Sequence, residues 1–509
     1  MAPGALALPL ILLWAALAQA APASSATPVA EPAVVRIEVD ASQGRRPISP
    51  WLYGRNMNLA GLDQTMFRPA RELALEAGLR ISRESDGNNG TKYNWRNDLS
   101  SHPDWYNNVY KQNRPERARV IQDTCPGVVG LFSLPVLGWV AKTDRANCNE
   151  NKLDPGHKNP HANLCGGGVA TAYLESQTPK EIVDVLDRWF GPRGPVLGQR
   201  SALSATEGLG LDPKRFPVWH LDNEPECWRG SHDDVSGTLM TGEECVRMYV
   251  AVACEVKTRY PDAKLMAPGF SSEWFWWNWS DHNCVGGLPW MEYFIKRMAE
   301  ESKAFGRPLI DLVDIHTYTN ENGTDDAILQ EHRTWYDPGY ASPSANGCKR
   351  VPDCGWHDDQ KVEMVLGRIE GWLDRYFGPG HGLGIATTES GAHSKTPMVR
   401  ALWYASHLGV FSDHGVQVFP PWFWPDAHRL VVRRRRHGLG LFVPRPRHQR
   451  RHDHPRLPRQ VTAAGRGGAQ GPAAIHREGP HPHPREPSRQ ADLLLPYAQR
   501  AQAGERQGP

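Results

Sequence analysis

The sequence lacks the features that would assign it to several common classes of protein. Its nine cysteines include no Cys-x-x-Cys pair, and no histidine spacing completes a zinc ligand set. Beyond the N-terminal stretch, no apolar run approaches the length of a transmembrane helix. We therefore predict that the protein holds no metal ion or other cofactor and has no membrane partner.

The C-terminal segment lacks five residue types. From His428 to Pro509 there is no lysine, asparagine, methionine, cysteine or tryptophan, and 17 arginines stand against five acidic residues. The segment has a formal charge of +12 and the whole chain has +2, so the preceding part carries −10. A basic arm that binds nucleic acid or another polyanion, a basic linker and a non-native reading frame could each give this composition.

We favour the non-native reading frame, because the residue types of this segment have GC-rich codons and the composition changes abruptly before Arg433–Arg436. On this interpretation a frameshift has replaced the last helix of the domain. Residues 427–509 are then predicted to be a disordered basic tail.

The N-terminus is typical of an exported protein. Residues 6–18 are apolar and end in Ala18-Gln-Ala20, a small-residue pattern that precedes signal-peptide cleavage. We predict a signal peptide over residues 1–20, a flexible leader over residues 21–33, and secretion. An odd number of cysteines in an exported chain predicts disulfides and at least one thiol, with Cys348–Cys354 and Cys148–Cys165 as candidate pairs.

Eight β-like runs follow one another, separated by helical patterns or long loops, as repeated βα units require. Capping boxes at Thr178-Pro-Lys-Glu181 and Thr241-Gly-Glu-Glu244 begin two of the intervening helices. The pattern predicts an α/β fold, a (β/α)8 TIM barrel, within a catalytic domain at residues 34–426. The predicted strands lie at residues 48–55, 79–84, 128–137, 216–221, 264–268, 309–316, 383–388 and 415–422.

Two of these runs break into loop at a glutamate, Glu224 after Asp222-Asn223 and Glu389 after Thr387-Thr388. Cleavage of a glycosidic bond needs a proton on the leaving oxygen and a negative group opposite the oxocarbenium ion. Burial and neighbouring donors can give two identical carboxyl groups these opposite states. The pair therefore indicates a glycosidase, whereas a polar turn is the plain alternative. Pro225 predicts an extended backbone at Glu224.

Aromatic residues crowd the predicted loops at the same end of the barrel. Five of the six residues at 274–279 are aromatic, Trp95 follows strand two, and Trp422 and Trp424 follow strand eight. Aromatic rings give sugars flat apolar platforms. Five rings in one loop are hard to bury together, so we expect some to line a cleft, although any one of them could instead pack the loop onto the barrel. Trp422 and Trp424 are the best placed to line the cleft.

Five short segments along the chain together carry a resemblance to a known family. They are Ile48-Ser-Pro-Trp-Leu-Tyr-Gly54, Tyr93-Asn-Trp95, Leu221-Asp-Asn-Glu-Pro225, Asp314-Ile-His-Thr-Tyr318 and Thr388-Glu-Ser390. Over about residues 35–425 the sequence resembles glycoside hydrolase family 44. This resemblance implies a clan A barrel and a retaining, endo-acting enzyme on β-1,4-glucans such as cellulose derivatives and xyloglucan, with some members also cutting xylan or mannan. It implies Glu224 as the general acid/base and Glu389 as the nucleophile.

The resemblance also implies smaller contributions. Asn223 should contact the hydroxyl beside the anomeric carbon, and Tyr318 should hydrogen-bond Glu389. His316 either contacts substrate or is structural. Residues 83–90 depart from the family's Arg-Leu-Gly-Gly-Asn-Arg pattern, so no residue is assigned to brace the nucleophile. Residues 34–40 alternate like one strand of the family's β-sandwich, whose other strands are not recognisable, so we predict an incomplete sandwich.

These observations predict a secreted, monomeric endo-acting glycoside hydrolase that cleaves β-1,4-glucan-type polysaccharides with retention. Its expected partner is the polysaccharide, with no nucleic acid. A clan A mannanase or xylanase is the catalytic alternative. A carbohydrate-binding protein without activity is the other alternative, and the presence of both Glu224 and Glu389 argues against it.

Overall fold

The computed structural model describes residues 38, 40, 42–56, 68–102, 108–142, 171, 174–192, 194–195, 207–236, 240–271, 273–279, 284–318, 323–337, 339–340, 365–422, 431–435 and 438–442. The chain divides into two units, residues 1–47 and 48–509. In the first unit, Asp40 accepts hydrogen bonds from the backbone N–H and hydroxyl of Ser42, at 2.9 and 2.6 Å. The predicted signal peptide and leader, and nearly all of the predicted sandwich strand, lie outside the described residues.

The second unit is built around eight parallel strands, which confirms the predicted (β/α)8 barrel. Each strand pairs with the next along the chain, and two backbone hydrogen bonds, from Phe419 to Trp51 and from Asn56 to Pro421, join the last strand to the first. The strands are β1 (Gly54–Asn56), β2 (Ile81–Arg83), β3 (Val129–Leu134), β4 (Val218–Leu221), β5 (Lys264–Phe270), β6 (Leu312–Tyr318), β7 (Gly384–Gly391) and β8 (Val416–Val418).

The strand bounds differ from the predicted ones in two ways. β1 begins only at Gly54, because Ser49 caps a 3-10 turn at Pro50–Leu52 that occupies the start of the predicted run. β5, β6 and β7 continue past their predicted ends, to Phe270, Tyr318 and Gly391. The second difference matters for the site, because Glu389 lies within β7 and is held by its sheet hydrogen bonds.

Long helices follow the first seven strands, and both predicted capping boxes are present, at Thr178 and Thr241. No described helix has the length and apolar character needed to span a membrane. The long helices are α1 (Arg68–Glu76), α2 (Arg114–Thr124), α3 (Pro179–Phe190), α4 (Gly242–Arg259), α5 (Trp290–Phe305), α6 (Val365–Phe377) and α7 (Pro397–Asp413).

Alternation along the strands separates two apolar layers. One layer packs between the strands and helices, where Trp189 of α3 meets Trp219 of β4 with ring centroids 5.1 Å apart. The other layer takes one side chain from each of β2 to β8 and fills the barrel interior. The charged residues described below occupy the interior toward the carboxyl ends of the strands. The interior layer consists of Ile81, Leu131, Val218, Met266, Leu312, Ala386 and Val418.

The tail departs from the predicted disorder at ten residues. Val431–Arg435 pairs antiparallel with Gly438–Phe442 across a two-residue connection. Valine, leucine and phenylalanine in these segments favour extended backbone, and a two-residue link suits a hairpin. The rest of the tail lies outside the described residues.

Among the cysteines, Cys284 is disulfide-bonded, and Cys125, Cys245 and Cys254 are thiols. The two predicted pairs lie outside the described residues.

Candidate active site

The site forms where the carboxyl ends of β4, β6 and β7 meet. These ends bring together Glu224, His316 and Glu389, and one side-chain atom from each lies within 4.8 Å of the others. The two glutamates predicted from the sequence therefore face one another, with a histidine between them. A buried carboxylate pair at this end of a parallel barrel is a common arrangement for catalysis.

Glu389 is held by two donors. Its Oε1 accepts from Arg83 Nη1 at 2.7 Å, and its Oε2 accepts the predicted hydrogen bond from the Tyr318 hydroxyl at 2.6 Å. The Arg83 side chain is entirely buried, and only 7% of Glu389 is exposed. Arg83 is thus the bracing residue that the sequence left unassigned. These contacts fix the orientation of the Glu389 carboxyl group.

Glu224 has a different backbone from the predicted one. Its φ is 45°, and that of Asp222 is 57°, so both residues are left-handed rather than extended. Pro225 disfavours the right-handed region for the residue before it, and Glu224 avoids that region by taking the left-handed one. Pro225 then begins a 3-10 turn ending at Cys227. This sharp exit from β4 turns the Glu224 carboxyl toward His316.

Asp222 ties this turn to the neighbouring loops. Its carboxylate accepts from Thr91 Oγ1 at 2.6 Å, Val136 N at 2.7 Å and Asn223 N at 2.8 Å. Burial raises the pKa of Asp222 to about 6 in spite of these donors. The three bonds couple the position of Glu224 to the loops after β2 and β3. The sequence analysis did not assign this positioning role to Asp222.

Glu224 and Glu389 lie in opposite environments. Burial raises the pKa of Glu224 above its ordinary value, and its contact with His316 only partly offsets this. Glu389, by contrast, receives both an arginine and a tyrosine hydroxyl. The raised pKa of Glu224 favours its protonated form, which can supply the proton that acid-assisted glycosidic cleavage needs, while the two donors orient the Glu389 carboxyl group.

His316 carries the positive charge between the two glutamates. Burial alone would lower the pKa of His316, but the charge of Glu389 and hydrogen bonds to Asp314 and Glu224 raise it to about 10. Its Nδ1 lies 2.9 Å from Glu224 Oε1 and its Nε2 lies 3.1 Å from Thr388 Oγ1.

The predicted substrate-binding residues divide into three groups. Asn223 is buried beside the site, where Oδ1 accepts from Arg83 at 2.9 Å and Nδ2 donates to Asn88 Oδ1 at 3.2 Å. Trp422 is partly exposed, and its ring centroid is 6.0 Å from the Arg83 guanidinium. Trp424 lies outside the described residues. Trp95 does not reach the site: it is 2% exposed, and its indole donates to the carbonyl of Glu181 in α3.

Most of the aromatic segment after β5 is not available to bind a sugar. Four of its five rings are buried, and only Trp274 is partly exposed. A short helix at Glu273–Trp277 turns the rings inward, so the expectation that five aromatics are hard to bury together was wrong. Trp276 meets Trp335, Trp277 meets Trp372 and Trp279 meets Trp290, with ring centroids 4.6 to 6.4 Å apart.

Comparisons with known proteins show which proteins this chain is similar to. Residues 99–321 match the model of glycoside hydrolase family 44. The chain is 23% identical over 430 residues to beta-mannanase/endoglucanase A of Caldicellulosiruptor saccharolyticus, which covers 76% of this chain and 30% of that protein. It is 23% identical over 443 residues to endoglucanase A of Paenibacillus lautus, covering 77% and 55% respectively. The chain thus spans about a third to a half of the length of these relatives.

A solved structure agrees with the fold. The family 44 xyloglucanase of Paenibacillus polymyxa, determined with xyloglucan, superposes with a TM-score of 0.54 at 20% identity, over 75% of this chain and 73% of that one. At this identity the superposition supports the barrel alone. The motifs, the family-model match over residues 99–321 and the barrel agree, and together they show that this chain is similar to glycoside hydrolase family 44.

Proposed function

We propose that this protein is a retaining, endo-acting glycoside hydrolase that cleaves β-1,4-linked glucans. One observation supports the proposal most directly. Glu224, after β4, faces Glu389 on β7, and one carboxylate oxygen of each lies within 4.8 Å of the other. Retaining enzymes hold their carboxyl groups about 5 to 5.5 Å apart, whereas inverting enzymes leave about 6.5 to 9.5 Å for a water molecule. The short separation supports retention.

The first chemical step uses both glutamates. Glu389 attacks the anomeric carbon as Glu224 transfers its proton to the departing glycosidic oxygen, which forms a glycosyl ester on Glu389. Glu224 becomes negative in this step, and the His316 cation at 2.9 Å stabilises that charge. Arg83 and Tyr318 keep the Glu389 carboxylate aimed along one direction before the attack.

The second step reverses the first. Glu224, now a carboxylate, takes a proton from water while the oxygen of that water attacks the anomeric carbon. The ester bond breaks, Glu389 regains its carboxylate, and the sugar keeps its original configuration. In both steps we expect Asn223, which accepts from Arg83, to contact the hydroxyl next to the reacting carbon, and Trp422, which lies beside Arg83, to offer a ring to the sugar.

The substrate class rests on the relatives and on the acidic pair together. The similar proteins are described as a beta-mannanase/endoglucanase, an endoglucanase and a xyloglucanase. We infer a β-1,4-glucan backbone, such as cellulose derivatives or xyloglucan, as the preferred substrate. A mannan or xylan backbone is the alternative that a substrate panel separates.

The test is hydrolysis of carboxymethylcellulose, xyloglucan, mannan and xylan by purified residues 21–509. Glu224→Gln should lose about 10² to 10⁴ in kcat/KM on polysaccharide, because its proton is missing, but little in kcat/KM on an aryl glycoside whose leaving group needs no proton, since kcat/KM reports the first step. Proton NMR of the first product should show the β anomer. A first product of inverted configuration, or equal losses on both substrates, would contradict the proposed division of tasks.

Export is part of the same proposal. The apolar segment and Ala18-Gln-Ala20 support cleavage after residue 20 and delivery outside the cell, where polysaccharides are found. N-terminal sequencing of the protein released into the medium of an expressing culture should begin at Ala21. Retention of the full-length chain in the cytoplasm would contradict it.

A further inference from the structure

We propose that His220 is a positioning residue: as a cation held between Asp86 and Asp314, it sets the pH range in which Glu224 and Glu389 keep their working protonation states. The inference rests on the proposed function and adds a residue that takes no part in the steps above. His220 lies on β4, four positions before Glu224, and its side chain is wholly buried.

The geometry around His220 favours a proton on each ring nitrogen. The side chain is wholly buried, with Nδ1 2.9 Å from Asp86 Oδ2, and its Nε2 forms an ion pair with Asp314 Oδ2 at 3.2 Å that lacks hydrogen-bond geometry. A neutral imidazole would set one nitrogen lone pair toward a carboxylate oxygen, whereas an imidazolium presents a proton to each carboxylate. Burial opposes the charge, but the two carboxylates outweigh it and raise the pKa of His220.

The groups facing His220 come from four neighbouring elements. β2 and its following loop supply Arg83, whose Nη2 is 3.5 Å from Nδ1, and Asp86. β6 supplies Asp314 and, beyond it, His316. The neighbouring strands β3 and β5 present the uncharged Ser133 and Met266 in register with His220.

Gly269 of β5 lets the two histidines approach each other. A Cβ at this position would stand 3.0 Å from the His220 ring and 3.1 Å from His316 Nε2. A larger residue would separate the rings or displace one of them. Asp314 can therefore face both, with Oδ2 3.2 Å from His220 and 3.7 Å from His316.

The His220 cation balances the charge of the buried network around the two glutamates. The network holds three cations, Arg83, His220 and His316, against three anions, Asp86, Asp314 and Glu389, so it is neutral when Glu224 is protonated. Removing the charge of His220 leaves the buried network with an extra negative charge. Both catalytic carboxyl groups then hold their protons more strongly, because ionising either one adds to that charge.

His220→Gln should therefore move both limbs of the bell-shaped kcat/KM profile to higher pH by about one unit. Asp86→Asn removes an anion and should move both limbs to lower pH. The double variant restores the charge balance and should return the profile close to its original position. His407→Gln is the matched control, because His407 is also buried but burial lowers its pKa to about 3, so that it is neutral.

A structural function for His220 would give a different result: His220→Gln would lower kcat without moving either limb, and the double variant would be worse than either single one. That outcome would overturn the inference.

A second measurement does not depend on activity. In nitrogen NMR of the full chain at pH 8, the ring signals that disappear in His220→Gln should be those of an imidazolium. A neutral ring signal would overturn the proposal, whereas an imidazolium in an inactive protein would place the failure in the proposed function.

Discussion

Two regions of this barrel carry dense sets of residues that suggest function, and only one of them forms a site. At the ends of β4, β6 and β7, buried charges face one another and their hydrogen bonds close on two glutamates. After β5, residues 274–279 offer five aromatic rings, of which four are buried and three of these pack against other aromatic residues. The first region buries charged groups, which is costly, and the second buries apolar rings, which is favourable.

The difference lies in what each set gains from burial. An apolar ring in the interior is stabilising by itself and needs no function to explain it. A buried charge is costly unless it is paired, so a network of paired charges near a cleft indicates chemistry more strongly than a crowd of tryptophans does. Substitutions in each region should therefore affect different properties of the protein.

The largest expected effect is the loss of activity in Glu389→Gln. The variant lacks the nucleophile, and we expect kcat on xyloglucan or carboxymethylcellulose to fall by about 10⁴-fold or more. Glu292→Gln is a matched control, because Glu292 is also buried and also accepts from an arginine and a tyrosine, Arg375 and Tyr376. The control should keep its kcat. Similar losses in both variants would mean that the first region has no special place in catalysis.

The next largest effect tests the aromatic region. Trp276→Ala removes a fully buried ring that packs against Trp277 and Trp335. We expect the free energy of unfolding to fall by about 3 to 5 kcal/mol, from lost apolar burial and the cavity left behind. Denaturant titration measures this, and KM of the folded enzyme should not change. A raised KM at unchanged stability would show that the segment binds substrate after all.

Glu226 lies between the two regions and should link stability to pH. Its Oε1 accepts from the Trp290 indole at 2.6 Å, and burial raises the pKa of Glu226 to about 8. A raised folded-state pKa gives stability that is complete below the ordinary value of 4.5 and is lost as pH rises through 8. Glu226→Gln stays neutral, so at pH 8 it should be more stable than the parent chain by about 1 to 4 kcal/mol.

Thermal or denaturant unfolding at pH 4 and pH 8 checks this prediction. The difference between the parent chain and Glu226→Gln should be close to zero at pH 4 and largest at pH 8. A constant difference at both pH values would show that Glu226 does not change its protonation state on unfolding.

The smallest effect should come from Trp422→Ala. This ring is only partly buried and stands beside Arg83 and Glu389, so its removal should cost little stability. We expect kcat/KM on a soluble glucan to fall by about tenfold, which corresponds to about 1.4 kcal/mol of lost sugar contact. A destabilised variant with unchanged kcat/KM would place Trp422 with the aromatic residues of the second region.

Much of the barrel could be predicted from sequence, because strands and capped helices follow from local patterns. All eight strands occur in the predicted order, and Thr178 and Thr241 begin their helices as predicted. Strand ends were less accurate, since pairing with neighbours extends β7 past Glu389 and capping by Ser49 shortens β1. The backbone of Glu224 was predicted wrongly, because Pro225 excludes one conformation without choosing between the remaining two.

The sequence by itself determined the two glutamates and the strand ends that carry them, because a polar residue at the end of an apolar run is visible locally. Tertiary structure alone decided the partners: Arg83, His220 and Asp314 come from β2, β4 and β6, which lie more than 90 residues apart in sequence. A closed barrel gathers side chains from alternate strands into one interior layer. Tertiary structure also decided that most of the aromatic rings after β5 are buried, because whether a ring meets solvent or another ring depends on the elements packed around it.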